Sequence, residues 1–148
     1  MTSHAHNVLL VEDNPDDAFF VQRAFGKAFD DVAVHTVPDG EAAMAYLARQ
    51  GEYADAARHP LPDLVLLDLK LPRASGFEVL SWLRAQERLR RLPVVVLTSS
   101  RQRKDVDHAY DLGANSYLVK PVSTDAARDL SGALGLYWLR YNERPSVG

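Results

Sequence analysis

Residues 64–72 read L-V-L-L-D-L-K-L-P, and this stretch decides the fold class. Its first four residues are all apolar, without the alternation of a half-exposed strand, which is typical of a strand buried on both faces of a parallel sheet. Two similar runs occur at residues 8–11 and 94–97, and weaker strand signals occur at residues 32–37 and 116–119. The sequence therefore predicts five strands, most of them parallel.

Helical patterns follow the predicted strands, with apolar residues three or four positions apart. Asp39 is suited to cap the second helix, and Gly113 is suited to end the fourth. Ser75, with a glutamate three residues further on, forms a capping box for the third helix. The last helix is expected to begin near Ser123 and to continue to about residue 141.

Five alternating strand and helix units imply an α/β fold, a doubly wound parallel sheet with helices on both faces. We expect the flavodoxin-like strand order 2-1-3-4-5. The 148 residues fit a single domain with a core over about residues 7–141 and flexible tails at 1–6 and 142–148. Residues 51–62 are expected to form an irregular surface loop with helical turns near residues 53–58.

The amino-acid composition and net charge exclude several kinds of site and partner. The chain has no cysteine, which excludes disulfides, thiolate metal sites and cysteine nucleophiles. No apolar run approaches 18 residues and no signal peptide is visible, so we expect a cytoplasmic protein that does not enter the membrane. The net charge of −3 offers no general attraction for nucleic acid. A local basic cluster, Arg84, Arg88, Arg90 and Arg91, is expected to be a solvated helix end.

Reactive or ion-binding side chains follow four of the five predicted strands. They are Glu12 and Asp13 after the first, Asp68 after the third, Thr98 at the end of the fourth and Lys120 after the fifth. Because parallel strands share one carboxyl edge, these side chains are expected to meet in one pocket. A single aspartate after a strand is usually a loop or helix cap, so the prediction depends on this convergence.

Three crowded carboxylates repel one another and favour a hard cation, for which Mg²⁺ fits best. Asp13 and Asp68 would be direct ligands, and Glu12 would bind directly or through water. With the cation bound, Asp68 would be a nucleophile toward phosphorus. Lys120 and Thr98 would then contact the phosphoryl oxygens. The alternative for the acidic pair is a favourable interaction with the N-terminus of the first helix.

The chain resembles the receiver domain of two-component response regulators over residues 8 to about 141. The matching pieces are V-L-L-V-E-D-N at 8–14, L-V-L-L-D-L-K-L-P at 64–72 followed by Gly76, V-V-V-L-T-S-S at 94–100 and Y-L-V-K-P at 117–121. The resemblance implies that Asp68 is the phosphoacceptor and that Asp13 and Glu12 form the acidic pair. It also implies that the Lys70 carbonyl is a magnesium ligand, that Thr98 and Tyr117 are paired switch residues, and that the bond before Pro121 is cis.

The segments at 14–18, 51–62 and 137–145 are similar to stand-alone receivers that serve bacterial phytochrome histidine kinases. This narrower resemblance implies a sensor histidine kinase of the bacteriophytochrome class as phosphodonor. Phosphorylation is expected to draw Thr98 inward and to rotate Tyr117 from an exposed to a buried position. A homodimer through the fourth helix, fifth strand and fifth helix is also expected, with Tyr137, Trp138 and Tyr141 divided between core packing and a partner interface.

Two other classes of function remain open. A phosphatase of the haloacid-dehalogenase type also places an aspartate after an apolar strand, but it requires a second aspartate two residues on, where this chain has Lys70. A degenerate receiver would act only as a scaffold, although all five pocket side chains are present. We therefore expect a phosphoacceptor whose only chemistry is its own phosphorylation and dephosphorylation, and which is not an enzyme.

Overall fold

The computed structural model describes residues 6–148, which contain a five-stranded sheet. The strands are β1 (His6–Val11), β2 (Val32–Val37), β3 (Leu64–Leu67), β4 (Val94–Thr98) and β5 (Ser116–Val119). They lie in the order β2-β1-β3-β4-β5, and each neighbouring pair is parallel. The predicted fold class and strand order are both confirmed.

Five α-helices accompany the strands. They are α1 (Pro15–Ala28), α2 (Gly40–Leu47), α3 (Gly76–Ala85), α4 (Arg103–Asp111) and α5 (Thr124–Leu134). The predicted caps are present, since Asp39 accepts a hydrogen bond from the Ala42 amide and Ser75 accepts one from the Glu78 amide. Gly113 follows α4 with a φ of 104°, the left-handed geometry that ends helices. Within residues 6–148, the model contains no helix with the length and hydropathy needed to cross a membrane.

The apolar strands are buried on both faces, as their composition predicts. Successive residues of β1 and β3 alternate between two core clusters, with Leu9 and Leu67 in one and Leu10 and Leu66 in the other. The first cluster includes residues of α2, α3 and α4, and the second includes residues of α1 and α5. The sheet is therefore covered by helices on each face, and the ends of its strands are left free to form a site.

The last helix occupies the predicted range but changes its geometry. It begins after the cap Ser123 and, beyond α5, continues as a π-helical segment, Gly135–Tyr141. A Cβ atom at Gly135 would overlap the ring of Phe29, which follows the end of α1. The glycine therefore permits this close approach, and the change of helix type begins at the same residue.

The connection between α2 and β3 is more ordered than its composition suggests. A 3₁₀ helix spans Gly51–Ala54, and a second turn at residues 56–58 is closed by the His59 amide, which donates to the Asp55 carbonyl at 2.9 Å. Helical turns therefore occur in the range expected. The rings of Tyr46, Tyr53 and His59 lie 5.1 to 5.7 Å from one another. The buried Tyr46 hydroxyl donates a hydrogen bond to the Pro60 carbonyl at 2.8 Å. An aromatic cluster therefore anchors the loop to the core.

Residue 6 and residues 142–148, which were expected to belong to flexible tails, make contacts with the domain. His6 belongs to β1, and its amide donates to the Asp31 carbonyl, whereas residues 1–5 lie outside the described part of the chain. At the other end, Arg144 forms an ion pair with Asp63 at 2.9 Å. The Gly148 amide donates to the Arg88 carbonyl, and Val147 packs on the first core cluster. Residues 142–148 therefore lie against the domain, through contacts to residues distant in sequence.

Arg84 is not part of a solvated helix end. Its guanidinium is half-buried and donates to the carbonyls of Gly113, Arg90 and Leu92 and to the side chain of Asn115, at 2.7 to 2.9 Å. Three of these acceptors are backbone carbonyls in the turns before β4 and β5. The expectation is therefore wrong for Arg84, which links α3 to the turns before β4 and β5.

Candidate functional site

The strand register brings the predicted acidic residues together. Val11 pairs with Leu67, so the next residues, Glu12 and Asp68, are neighbours at the carboxyl edge of the sheet. Glu12, Asp13 and Asp68 each offer a carboxylate oxygen, and these oxygens lie within 4.8 Å of one another. Glu12 and Asp68 are buried, whereas Asp13 is exposed. The cluster therefore opens to solvent on the Asp13 side.

Backbone hydrogen bonds hold the acidic residues at this edge. The Glu12 amide donates to the Val37 carbonyl at 3.0 Å, and the Asp68 amide donates to the Val11 carbonyl at 3.2 Å. The Glu12 carboxylate also accepts from the Asn14 amide at 3.1 Å. Burial raises the pKa of Glu12, and the hydrogen bond from Lys120 opposes this effect. A buried carboxylate in this position is stabilised in its charged form by a nearby cation.

Gly76 allows α3 to begin directly beside Asp68. A Cβ atom at this position would overlap the Asp68 carbonyl oxygen and would lie 2.7 Å from the Leu69 Cα atom. The Gly76 amide donates to the Leu69 carbonyl at 2.9 Å. The glycine in the receiver-like motif therefore has a steric function, because any side chain would displace the backbone that carries Asp68.

The Lys120 ammonium group lies among three carboxylates. Its Nζ atom is 2.7 Å from Glu12 Oε1, 2.8 Å from Asp68 Oδ2 and 3.0 Å from Asp17 Oδ2. Burial lowers the pKa of Lys120, but the hydrogen bonds to Asp68, Glu12 and Asp17 outweigh burial and raise it above its ordinary value. The lysine therefore stays charged and faces the carboxylate that is predicted to react.

The predicted cis bond before Pro121 is wrong. No cis peptide bond occurs between residues 6 and 148, so the Lys120–Pro121 bond is trans. The trans form of such a bond is favoured by about 0.5–1 kcal/mol in the absence of other constraints. Lys120 reaches Asp68 with the bond trans: its amide donates to the Thr98 carbonyl at 2.9 Å, and its Nζ atom donates to Asp68 Oδ2 at 2.8 Å.

Thr98 is completely buried, and its hydroxyl has no partner. Among the described residues, Thr98 Oγ1 is the one buried side-chain oxygen or nitrogen without a hydrogen bond. Burying an unpaired hydroxyl costs about 1–3 kcal/mol by mutational data, so such atoms usually have a partner in some functional state. An oxygen of an incoming phosphoryl group is a suitable acceptor. Thr98 lies at the end of β4 as expected, and its contact with phosphate stays a prediction.

Tyr117 already lies inward. Its ring is half-buried against the first core cluster, and its hydroxyl donates to the Ser100 carbonyl at 2.9 Å. Burial raises the pKa of this hydroxyl, with the hydrogen bond to Ser100 acting against it. The ring is therefore already partly buried in this structure, where an exposed position was expected before phosphorylation. The role of Tyr117 as a switch stays a prediction.

Lys70 and Asp17 complete the surroundings of Asp68. The Lys70 amide donates to Asp68 Oδ1 at 3.3 Å, and the role of its carbonyl as a metal ligand stays a prediction. Asp17 was not predicted as a site residue, although it is the third helical residue of α1 and side chains in a first turn point back toward the helix N-terminus. An acidic residue at this point of a helix that follows Glu12 and Asp13 is the sequence signal that identifies it.

The donor set fits a hard divalent cation. All three clustered groups are carboxylates, and oxygen ligands of this kind are those that Mg²⁺, Mn²⁺ and Ca²⁺ use in proteins. The exposed Asp13 leaves room for water molecules, which Mg²⁺ in particular retains. Within residues 6–148, this is the cluster of three such groups that has the geometry of a metal site.

The sequence matches the family model described as the response regulator receiver domain over residues 8–130. The chain belongs to this family. The resemblance that was seen in the strand-end motifs is therefore confirmed, and the receiver is a response regulator of phosphorelay signal transduction.

Relatives match the receiver over nearly its whole length. Response regulator Rcp1 of Synechocystis is 39% identical over 140 residues, which cover 95% of this chain and 93% of that protein. The probable methanogenesis regulatory protein FilR2 of Methanothrix harundinacea is 41% identical over 138 residues, which cover 93% of this chain and 86% of that protein. The receiver is therefore similar to proteins of about its own size.

Solved structures agree with both the fold and the acidic site. The phosphorylated cyanobacterial phytochrome response regulator RcpA superposes with a TM-score of 0.89 at 40% identity, covering 97% of this chain and 100% of that chain. The Mn²⁺-bound form of Rcp1 superposes with a TM-score of 0.84 at 38% identity, covering 95% of this chain and 99% of that chain. A divalent metal ion therefore binds to a homologue of this receiver. The receiver itself has an acidic cluster at the sheet edge.

Proposed function

We propose that the receiver accepts a phosphoryl group from a histidine kinase onto Asp68, with Mg²⁺ as the metal. The observation that supports this most directly is the 2.8 Å contact between Asp68 Oδ2 and Lys120 Nζ, beside the Glu12 and Asp13 carboxylates. In the transfer, an Asp68 carboxylate oxygen attacks phosphorus and the P–N bond of the phosphohistidine breaks. The imidazole leaves with the electron pair of that bond, and an aspartyl phosphate forms.

Each pocket side chain would have a separate role in this phosphotransfer. Glu12, Asp13, Asp68 and the Lys70 carbonyl would hold the metal, which supplies charge neutralisation between carboxylates and phosphoryl oxygens when bound. Lys120 brings its ammonium group to a phosphoryl oxygen. The Thr98 hydroxyl, which has no other partner, donates to a second one. Burial of Asp68 beneath these groups limits the access of water to the acyl phosphate.

Intact mass spectrometry tests this proposal. We expect acetyl phosphate to produce one phosphoryl adduct on the wild-type receiver, only in the presence of Mg²⁺. The adduct is absent from Asp68→Asn, because an amide nitrogen or oxygen cannot form the acyl phosphate. Asp63→Asn is a matched control outside the pocket and should be modified as wild type is. An adduct that persists in Asp68→Asn, or one that forms equally well in EDTA, contradicts the proposal.

We further propose that the receiver is a phosphoacceptor and does not turn over an external substrate. Lys70 stands where a phosphatase of the haloacid-dehalogenase type requires its second aspartate. A steady-state assay with p-nitrophenyl phosphate should show no turnover beyond the buffer rate. Sustained turnover that disappears in Asp68→Asn identifies an enzyme instead.

The kinase that we propose is of the bacterial phytochrome class. The support is the similarity to the phytochrome response regulator RcpA and to the bacteriophytochrome response regulator RtBRR, which is 40% identical and covers 95% of this chain. A panel of purified kinases autophosphorylated with labelled ATP should transfer label fastest from a phytochrome kinase. Faster transfer from kinases with other sensor domains contradicts this choice.

We also propose a homodimer through the face of α4, β5 and α5. Tyr137 and Tyr141, in the continuation of α5, are 55% and 72% exposed, and aromatic residues are enriched at association surfaces. Sedimentation should give the mass of a dimer, which the double variant Tyr137→Ser, Tyr141→Ser reduces to that of a monomer. Phe19→Ser, which changes an exposed aromatic on α1, should leave the dimer intact. A monomeric wild type, with and without phosphorylation, refutes the dimer.

Its working location, we propose, is the cytoplasm, where ATP is available to histidine kinases. Its output would be protein contact and not nucleic-acid binding, in keeping with the net charge of −3. A gel-shift assay with mixed-sequence DNA should show no complex for either phosphorylation state. A salt-sensitive complex at micromolar protein contradicts this expectation.

A further inference from the structure

Two adjacent aspartates begin α1, and only one of them reaches the pocket. Asp17 Oδ2 accepts a hydrogen bond from Lys120 Nζ at 3.0 Å, across 103 positions of sequence. Asp16 is exposed, and its side chain forms no hydrogen bond or ion pair with another described residue. Both residues have amides that donate to the Asn14 cap, so they share the same local backbone. They differ in the contact with Lys120.

The Lys120 ammonium group has three N–H donors, and three carboxylates accept them. In the phosphotransfer proposed above, two of these acceptors change their role. The metal would share Glu12, and Asp68 becomes the acyl phosphate that carries the phosphoryl group. Asp17 is the acceptor that neither change removes, because it is on α1 and outside the metal cluster. The hydrogen bond from Lys120 to Asp17 can therefore persist throughout the reaction.

We propose that Asp17 is a positioning residue for phosphotransfer. It holds the Lys120 ammonium beside Asp68 while the phosphoryl group arrives and while it remains. This inference rests on the proposed function, because it concerns the same reaction. A further observation supports it: Asp17 and Lys120 both line a cleft of about 220 Å³ at the α1 side of the pocket, which leaves the ion pair accessible from solvent.

The opposite role, in which Asp17 withdraws Lys120 from the phosphoryl group, does not fit the geometry. Lys120 Nζ is 2.8 Å from Asp68 Oδ2 at the same time as it is 3.0 Å from Asp17 Oδ2. The two contacts are therefore compatible, and the contact to Asp17 does not move the ammonium away from the reacting carboxylate. The side chain of Asp17 is 41% exposed, so its contribution is modest and depends on salt.

The rate of phosphorylation by acetyl phosphate at saturating Mg²⁺ tests the inference. In this step an Asp68 oxygen attacks phosphorus, the P–O bond to the acetyl group breaks, and acetate leaves. We expect Asp17→Asn and Asp17→Ala to slow adduct formation about 3- to 10-fold, the effect of losing one charged hydrogen bond. Asp16→Asn removes the same charge from the same helix turn and should leave the rate within about twofold of wild type.

A double-mutant cycle distinguishes positioning from a general effect on α1. In a Lys120→Met background, Asp17→Asn should cause no further slowing, because the group that it positions is absent. Asp17→Glu should recover part of the rate, since it restores a carboxylate near Lys120. Thermal melts of each variant with and without Mg²⁺ show whether folding or metal binding is altered.

The outcomes separate the two proposals. If wild type forms the adduct but Asp17→Asn is as fast as Asp16→Asn, or faster than wild type, the inference about Asp17 is overturned and the proposed function stands. Equal slowing by Asp17→Asn in the wild-type and Lys120→Met backgrounds also overturns it. If wild type forms no adduct, the proposed function fails, and the inference fails with it.

Discussion

At the scale of single residues, Thr98 illustrates how a signalling site differs from the core around it. Its neighbours in β4, such as Val96, are fully buried and apolar, and they contribute stability by removing apolar surface from water. Thr98 is equally buried but keeps a hydroxyl without a partner. Under the proposed function, this residue lowers the stability of the free receiver, and a phosphoryl oxygen would supply the missing hydrogen bond.

Replacing Thr98 by valine should stabilise the free receiver. The substitution conserves volume and removes a buried unpaired hydroxyl, so we expect the free energy of unfolding in urea to rise by about 1 kcal/mol. The acetyl phosphate adduct of this variant should also be shorter-lived, because one of its hydrogen bonds is lost. The reverse change in the same strand, Val96→Thr, buries a new hydroxyl and should cost about 1–3 kcal/mol. A destabilised Thr98→Val would mean that the hydroxyl has a partner in solution.

At the scale of elements, the connection from β3 to α3 determines where Asp68 lies. Arg73 and Ala74 both have positive φ values, 52° and 93°, which are uncommon for residues with side chains. The turn is held by amides at the start of α2, since Glu41 donates to the Arg73 carbonyl at 2.8 Å. Gly76 then allows α3 to start against the Asp68 backbone. The starts of α2 and α3 therefore pack against the end of β3, and this packing sets the position of Asp68.

The contact at Gly76 leads to a prediction with an internal control. Gly76→Ala should lower the free energy of unfolding by about 1–3 kcal/mol, because the new methyl overlaps backbone that cannot rotate away. Phosphorylation should slow as well, since Asp68 is displaced. Gly132→Ala, inside α5 with no atom within 4 Å of the added methyl, should instead stabilise by about 0.5–1 kcal/mol. Chemical denaturation and adduct mass measure both; an unaffected Gly76→Ala would show that α3 shifts without cost.

At the scale of the whole molecule, side chains distant from the site join elements that the sheet alone does not connect. Arg84 joins α3 to the turns before β4 and β5, and Arg144 joins the C-terminal segment to Asp63. Tyr46 joins α2 to the loop before β3, through the Pro60 carbonyl and an aromatic cluster. The global stability therefore depends on polar groups that are buried or half-buried.

Tyr46 gives the receiver a defined sensitivity to alkaline pH. Burial raises the pKa of Tyr46 from its ordinary value of 10.0 to about 12. The neutral hydroxyl is thus favoured in the folded state, and its contribution is complete below pH 10 and is lost as pH rises through about 12. The loss should be about 2–3 kcal/mol for a shift of this size.

Tyr46→Phe tests this dependence. The variant should be about 1 kcal/mol less stable at pH 8, because the hydrogen bond to Pro60 is lost. Between pH 10 and 12 it should not share the wild-type loss of about 2–3 kcal/mol, so the two curves of unfolding free energy against pH converge and then cross. Tyr110→Phe, at an exposed position on α4, should follow the wild-type curve. Parallel curves for wild type and Tyr46→Phe would show that another group causes the alkaline loss.

Local pattern was sufficient for the fold class and for most of the site. The strands β2, β3 and β5 have the predicted bounds, because the runs that form them are mostly apolar or β-branched. Glu12, Asp13, Asp68 and Lys120 meet as predicted, because parallel strands place their ends at one edge, and Thr98 ends a strand at the same edge. The caps Asp39 and Ser75 were predictable because capping depends on residues only three positions away.

The sequence by itself determined the order of elements, the edge where chemistry occurs and the residue types available there, since periodicity and strand direction are local or topological properties. Only the tertiary structure decided that Asp17 contacts Lys120, that Arg84 is half-buried, that the bond before Pro121 is trans, and that residues 142–148 lie against the domain. Each of these depends on distances between side chains far apart in sequence, and such distances are set by packing of the whole core.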